Sequence, residues 1–216
     1  MFNLLTWPKQ MCLDLERLGF TPILWDNGST YKPLLDWYDN ECKYEVIRNK
    51  DNAGCYWMLV QRHLMKQTEV VAYTDCDLDL SGVPDDFIAR ATESLNINTW
   101  SCKIGVSLEI LDVPQNAITL NIMNSFERKY WINKSIDGNW LADTSTTLAI
   151  YRPGCWTQDW IGDGFYKTVR LDRPYTARHM PWYYTEKNNV DDEFRFYLAN
   201  MNTHGVSSTQ LKNALA

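Results

Sequence analysis

The sequence has no long apolar run. The longest unbroken one, Cys55 to Val60, falls far short of the ~20 residues that a membrane-crossing helix needs. The opening lacks the pattern of a signal peptide. Phe2-Asn3-Leu4-Leu5 gives way at once to Thr6-Trp7-Pro8-Lys9, with no basic start and no extended apolar segment, so no leader is expected. Positive charge is scarce: 21 Lys and Arg against 27 Asp and Glu leave a net charge of −6. A nucleic-acid-binding module usually carries a basic surplus, so that class is set aside. A small phosphorylated ligand needs only a few local donors and stays open. The six cysteines, at 12, 42, 55, 76, 102 and 155, form no CxxC pair and no zinc ribbon. Most flank apolar runs, which predicts reduced, buried thiols in an intracellular, cytoplasmic protein. Repeats and low-complexity linkers are lacking too.

What remains is a chain of 216 residues, 45% hydrophobic and 22% charged, long enough to bury a core without staples. Aromatics stand out, with 10 Trp and 12 Tyr. An aromatic core and a surface on which sugar rings stack are both compatible with them. Phe2 to Thr6 reads as a strand, Pro8 to Leu18 as a helix and Thr21 to Trp25 as a strand. Tyr31 to Tyr38 reads as a helix, Tyr44 to Arg48 as a strand and Cys55 to Lys66 as a helix. Glu69 to Thr74 follows as a strand and Pro84 to Leu95 as a helix. This alternation predicts βαβ units, an α/β fold and a mostly parallel sheet flanked by helices. Further on, Lys103 to Leu111 and Thr146 to Tyr151 read as strands around an irregular aromatic stretch. One domain over 1–216 is expected, with a ligand-binding half at 1–110 and a pocket-shaping half at 111–216.

The sharpest motif is Val70-Val71-Ala72-Tyr73-Thr74-Asp75-Cys76-Asp77-Leu78-Asp79-Leu80. Ligands of parallel sheets bind at the carboxyl ends of strands. In extended chain alternate residues point the same way, so Asp75, Asp77 and Asp79 are expected to converge. Converging carboxylates repel unless a cation joins them, and oxygen ligands select Mg²⁺ or Mn²⁺, which in turn neutralises a diphosphate. Three alternatives compete. A solvated acidic turn does not usually follow four apolar residues. A calcium loop over Asp75, Asp77, Asp79 and Asp86 would need Gly where Leu80 stands. A haloacid-dehalogenase-like phosphatase has a DxDx(T/V) nucleophile motif, but here the fifth residue is Asp79 and the motif lies deep in the chain.

Other polar clusters follow the earlier strands: Asp26-Asn27-Gly28-Ser29-Thr30, then Asn52-Ala53-Gly54. Each alone reads as a turn; together they mark one sheet edge. Of the histidines, His63 lies in a helical pattern and His204 in a polar tail. His179 lies in Arg178-His179-Met180-Pro181-Trp182, where its imidazole could complete a metal shell and Arg178 could meet a phosphate.

The ordered set Trp25-Asp26-Asn27-Gly28-Ser29-Thr30-Tyr31, Asn52-Ala53-Gly54, Tyr73-Thr74-Asp75-Cys76-Asp77, Asp143-Thr144-Ser145-Thr146-Thr147 and Arg178-His179-Met180-Pro181-Trp182 resembles small GT-A-type glycosyltransferases. The likeness is to members that build the glycans of a viral capsid protein, and it spans nearly the whole chain. It implies a UDP-sugar donor, a carbohydrate acceptor and Mn²⁺ or Mg²⁺, with a host-cytoplasmic location. By resemblance, Asp75 would sit by the ribose and metal, and Asp77 would ligate the metal. His179 would close the shell, while Asp79 is an extra carboxylate. Thr6, Trp7, Asp26, Asn27, Ser29, Asn52 and Gly54 would hold the nucleotide, with Arg178 on the phosphates. Asp143 is the candidate catalytic carboxylate near the sugar or acceptor; the competing reading makes it a helix or turn cap. A non-catalytic carbohydrate-binding protein with a structural metal is the alternative class.

Overall fold

The computed structural model describes residues 1–52, 71–144, 147–153, 168–202 and 206–215. Within them the chain is mixed α/β. The helices are α1 (Thr6–Arg17), α2 (Lys32–Asn40), α3 (Phe87–Ile97), α4 (Leu120–Phe126), α5 (Asp192–Asn200) and α6 (Val206–Leu215). The first four strands are β1 (Ile23–Asp26), β2 (Glu45–Arg48), β3 (Val71–Tyr73) and β4 (Leu78–Asp79). β5 (Lys103–Gly105), β6 (Ser107–Leu108), β7 (Trp140–Leu141), β8 (Ala149–Tyr151), β9 (Thr168–Arg170) and β10 (Thr176–His179) follow. They form three sheets, ordered β1-β2, β4-β10-β6 and β3-β8-β5-β9-β7.

The expected mostly parallel sheet is not what forms. β1–β2, β6–β10 and β5–β9 pair in parallel, whereas β3–β8, β5–β8, β7–β9 and β4–β10 are antiparallel. The parallel rule holds where a helix joins the strands, as α2 joins β1 to β2. It fails where β8, far along the chain, inserts between β3 and β5. The predicted strand over Lys103 to Leu111 also divides at Val106. Its first part, β5, joins the large sheet, and its second, β6, joins the small one.

Strand alternation gives the five-stranded sheet two unlike faces. Ala72, Ile150, Ile104, Val169 and Leu141 share a register and an apolar face. That face joins a core with Met11 of α1 and Phe87, Ala91 and Leu95 of α3. The opposite face carries Tyr73, Tyr151, Lys103, Gly105, Arg170 and Trp140. Gly105 is needed there for packing. A Cβ would come within 2.9 Å of both Leu148 O and Thr144 Cγ2. Gly105→Ala is therefore expected to cost about 1–3 kcal/mol through overpacking, read as a fall of several degrees in melting temperature. An unchanged melting temperature would show that Thr144 and Leu148 yield freely.

The opening residues do not form the expected strand. Asn3 takes a left-handed conformation, φ 51°, which ends any extended run. α1 then begins at Thr6, where Glu193 accepts from the Leu5 and Thr6 amides at 2.7 and 2.9 Å. A carboxylate at a helix N-terminus satisfies its unpaired donors and suits its dipole. α3 begins at Phe87 rather than Pro84, because a turn closes first through Phe87 N to Pro84 O at 3.1 Å. The predicted Cys55 to Lys66 helix lies outside the described residues, as do Gly54, His63 and His204. No described helix is long and apolar enough to cross a membrane.

Candidate functional site

The short antiparallel ladder β4–β10 joins the acidic motif to the Arg178-His179 segment. Its register sets Asp79 against Arg178 and Leu78 against His179. Just before β4, Met180 N donates to Asp77 O at 2.9 Å and extends the pairing. Asp77 Oδ2 then stands 3.3 Å from His179 Nε2, with the two side chains 16% and 21% exposed. The His179 ring lies 4.7 Å from the Trp182 ring, which fixes its tilt. Burial opposes the imidazolium, but the Asp77 carboxylate outweighs it and holds the His179 pKa above its usual value. Burial likewise opposes the Asp77 carboxylate, and His179 holds its pKa below the usual range. Asp77 Oδ1 and His179 Nδ1 are both buried and make no hydrogen bond among the described residues. Asp77 meets His179 through Oδ2 and Nε2, so Oδ1 and Nδ1 are the atoms of the pair left for a further partner.

The three carboxylates do not converge. The chain bends at Cys76 and Asp77, so strict alternation stops there. Asp75 still adds to the charge felt by His179. Cys76 turns the other way, bonded by the Phe2 backbone and close to the N-terminal amine; burial pushes its thiol up to about 12. Asp79 is diverted. Its Oδ1 accepts from Ser81 N at 2.9 Å and its Oδ2 meets Arg178 Nη1 at 3.4 Å. Arg178 also donates to Asp112 at 2.6 Å. Successive residues of β10 face opposite ways, so Arg178 and His179 leave the strand on opposite sides. Arg178 and Asp79 instead line a cavity of about 300 Å³ with Glu109 and Asp112. In the structure Asp79 and Arg178 pair with each other, and Asp112 takes a further Arg178 donor.

Asp143 follows β7 on the polar face of the large sheet. It caps no helix among the described residues. It acts with Asp75 on one group: burial raises the Tyr151 phenol most, and Asp143 and Asp75 raise it further. Asp75, Asp77, His179, Tyr151 and Asp143 thus form one electrostatic neighbourhood. Lys103, 3% exposed, belongs to it as well; burial lowers its pKa to about 8 and Asp143 opposes that shift. Lys103, Glu127 and Arg170 stand in no motif of the sequence. A lone charge inside Lys103-Ile104-Gly105-Val106 was the available signal.

The loops after β1 and β2 do meet. Gly28, at φ 75°, leaves room for a backbone contact, since a Cβ there would lie 2.8 Å from the Asp51 carbonyl carbon. Asn49 Nδ2 donates to Asn27 Oδ1 at 3.0 Å, and Asn52 lies in the same loop as Asp51. Asp26 is buried and turned inward, accepting from Ser29 N at 3.0 Å and from the Tyr38 hydroxyl at 3.2 Å. Ser29 Oγ accepts from Asn3 N at 2.8 Å, and Asn3 Oδ1 takes the Thr30 and Tyr31 amides at 2.7 and 3.0 Å. Asn3, which belongs to no sequence motif, is the clasp of this loop. Thr6 and Trp7 look toward α5: Thr6 Oγ1 bonds Glu193 at 2.8 Å, and Trp7 packs 5.0 Å from the Phe194 ring.

Among the described residues no three His, Cys, Asp or Glu side chains gather closely enough to hold a metal ion by themselves. Asp77 and His179 offer two donors. Divalent cations at phosphate sites commonly take one or two carboxylates from the protein and the rest from substrate oxygens and water, so the pair fits such an ion. Compared with protein-family models, curated proteins and solved structures, the chain matches none.

Proposed function

We propose that this chain is a metal-dependent, GT-A-like glycosyltransferase that moves a sugar from a UDP-sugar to a carbohydrate acceptor, with viral capsid glycans as the expected product class. The observation that supports it is the contact of Asp77 with His179, with Asp75 alongside and Asp143 acting on the same buried tyrosine. A bound Mn²⁺ or Mg²⁺ would supply Lewis-acid stabilisation to the departing diphosphate. Asp77 and His179 would hold that ion, with Asp75 beside the ribose. Asp143 would face the sugar or the acceptor hydroxyl, and the loops around Asn27 and Asn52 would shape the nucleotide end.

UDP binding is expected to require the cation, because Asp75 and Asp77 would otherwise repel a diphosphate. Thermal shift tests this. UDP with Mn²⁺ at about 100 times its Kd should add about 2.7 kcal/mol, or roughly 5–10 °C, while UDP alone adds little. Equal shifts with and without a chelator would reject the metal bridge. No shift under any combination would reject the nucleotide-sugar reading.

A further inference from the structure

Below Asp143 lies a charged pair that none of the roles above uses. Arg170 sits on β9, with Gly105 of β5 beside it on one side and Trp140 of β7 on the other. Its Nη1 bonds Glu127, just past the end of α4, and the two side chains are only 3% and 4% exposed. Its Nε donates to the Asp143 carbonyl at 2.7 Å. The Tyr130 ring covers the guanidinium at 4.7 Å. Three constraints therefore act on one planar group whose donors lie in fixed directions.

A buried ion pair is a poor way to fill space, since desolvating both charges offsets much of their attraction. Burial pushes the Glu127 pKa up even with Arg170 beside it. Apolar side chains of similar volume would pack there as well, but they could not donate to the Asp143 carbonyl. Beside Arg170, the bare Cα of Gly105 lets Thr144 and Leu148 approach the sheet closely. Thr147 N also donates to Thr144 O at 2.8 Å.

We propose that Arg170, oriented by Glu127, is a positioning residue that pins the Asp143 backbone to the middle of the sheet and so sets where the Asp143 carboxylate stands. The inference rests on the transferase reading for its catalytic meaning. The geometry of the pin can be measured apart from it.

The test compares the wild-type chain, the double variant Glu127→Leu/Arg170→Met and Arg170→Lys. The double variant removes both charges together, so no lone buried ion is left. It is expected to bind UDP with Mn²⁺ and to keep its donor KM, each within about threefold, because Asp77 and His179 are untouched. Its kcat should fall about 100-fold, the scale of a small misplacement of a reacting group. Exchange of the Thr147 amide should quicken in the same variant. Arg170→Lys keeps the charge beside Glu127 but lacks the second directed donor, so it should show the same loss confined to kcat and covers the case in which the double variant does not fold. Wild-type kcat in either folded variant, or unchanged Thr147 exchange, overturns the proposal. If the wild-type chain neither binds UDP nor transfers sugar, the transferase reading fails instead, and exchange alone decides whether Arg170 pins the Asp143 backbone.

Discussion

Asp77→Ala is expected to lower sugar transfer roughly 1,000-fold, the loss of several kcal/mol of metal-borne stabilisation at the leaving group. Its effect on the fold follows from the pair with His179. Mutual repulsion of three carboxylates would predict little or no loss of stability when one is removed. In the structure Asp77 is paired, so its removal leaves a buried imidazole without its counter-charge. The Asp77 pKa is lowered on folding, so its contribution is present above the unfolded value of about 3.9 and fades as pH falls through the folded one. The His179 pKa is raised, so its contribution is complete below about 6.5 and fades as pH rises through the folded value. The metal-free variant should therefore be less stable by about 1.5 kcal/mol between pH 4 and 6.5, and by less at pH 9. Activity assays beside melting curves at three pH values check this. A variant with near wild-type turnover would remove Asp77 from the site, and a stability loss independent of pH would remove the ion pair.

His179→Ala should raise the Mn²⁺ concentration for half-maximal rate about 10- to 100-fold, with part of the activity returning in excess metal. The diphosphate and Asp77 still supply oxygen ligands, so binding weakens without vanishing. The wild-type protein should also need more Mn²⁺ as pH falls, since an imidazolium must lose its proton before it can bind a metal. Below the raised His179 pKa the requirement should climb about tenfold per pH unit. His179→Ala should lose that steep dependence. His63→Ala and His204→Ala should change neither quantity much. A large shift from His204→Ala, with none from His179→Ala, would place the nitrogen ligand in the tail.

The local parts of this architecture were readable in sequence. β1, α2 and β2 follow one another within a few turns of chain, and the polar residues that end each strand do meet through Gly28 and Asp51. What escaped depends on distant partners. β8 takes its place between β3 and β5 by a long-range insertion that no periodicity announces. Asp79 turns to Ser81 and Arg178 past a bend that only the tertiary structure imposes. Arg178 and His179 are neighbours in sequence, yet their strand sends them to opposite faces. Glu127 and Arg170 are 43 residues apart, and each alone resembles an ordinary surface charge. The resemblance implied one shared metal for His179 and Asp77; their direct contact is read from the structure alone, since spacing does not pair them.

The seat of α1 on Glu193 has a consequence for how the chain is made. Glu193 lies 188 residues from Leu5, and Leu4 shares one apolar cluster with Val190, Phe194, Leu198, Met201 and Leu215. On the ribosome, synthesis at about 5–20 residues per second leaves the N-terminal helix waiting for roughly ten seconds or more before its partner is made. Throughout that interval Leu4 and Trp7 lack Val190, Phe194 and Leu198, the bulk of their cluster, although Asn3 can already clasp the loop at 29–31. Closing the long loop to Glu193 is slow. Stalled nascent chains of increasing length, probed by brief proteolysis, should stay sensitive around residues 4–8 until the chain extends well past residue 200. Early protection would mean that α1 finds its seat without α5.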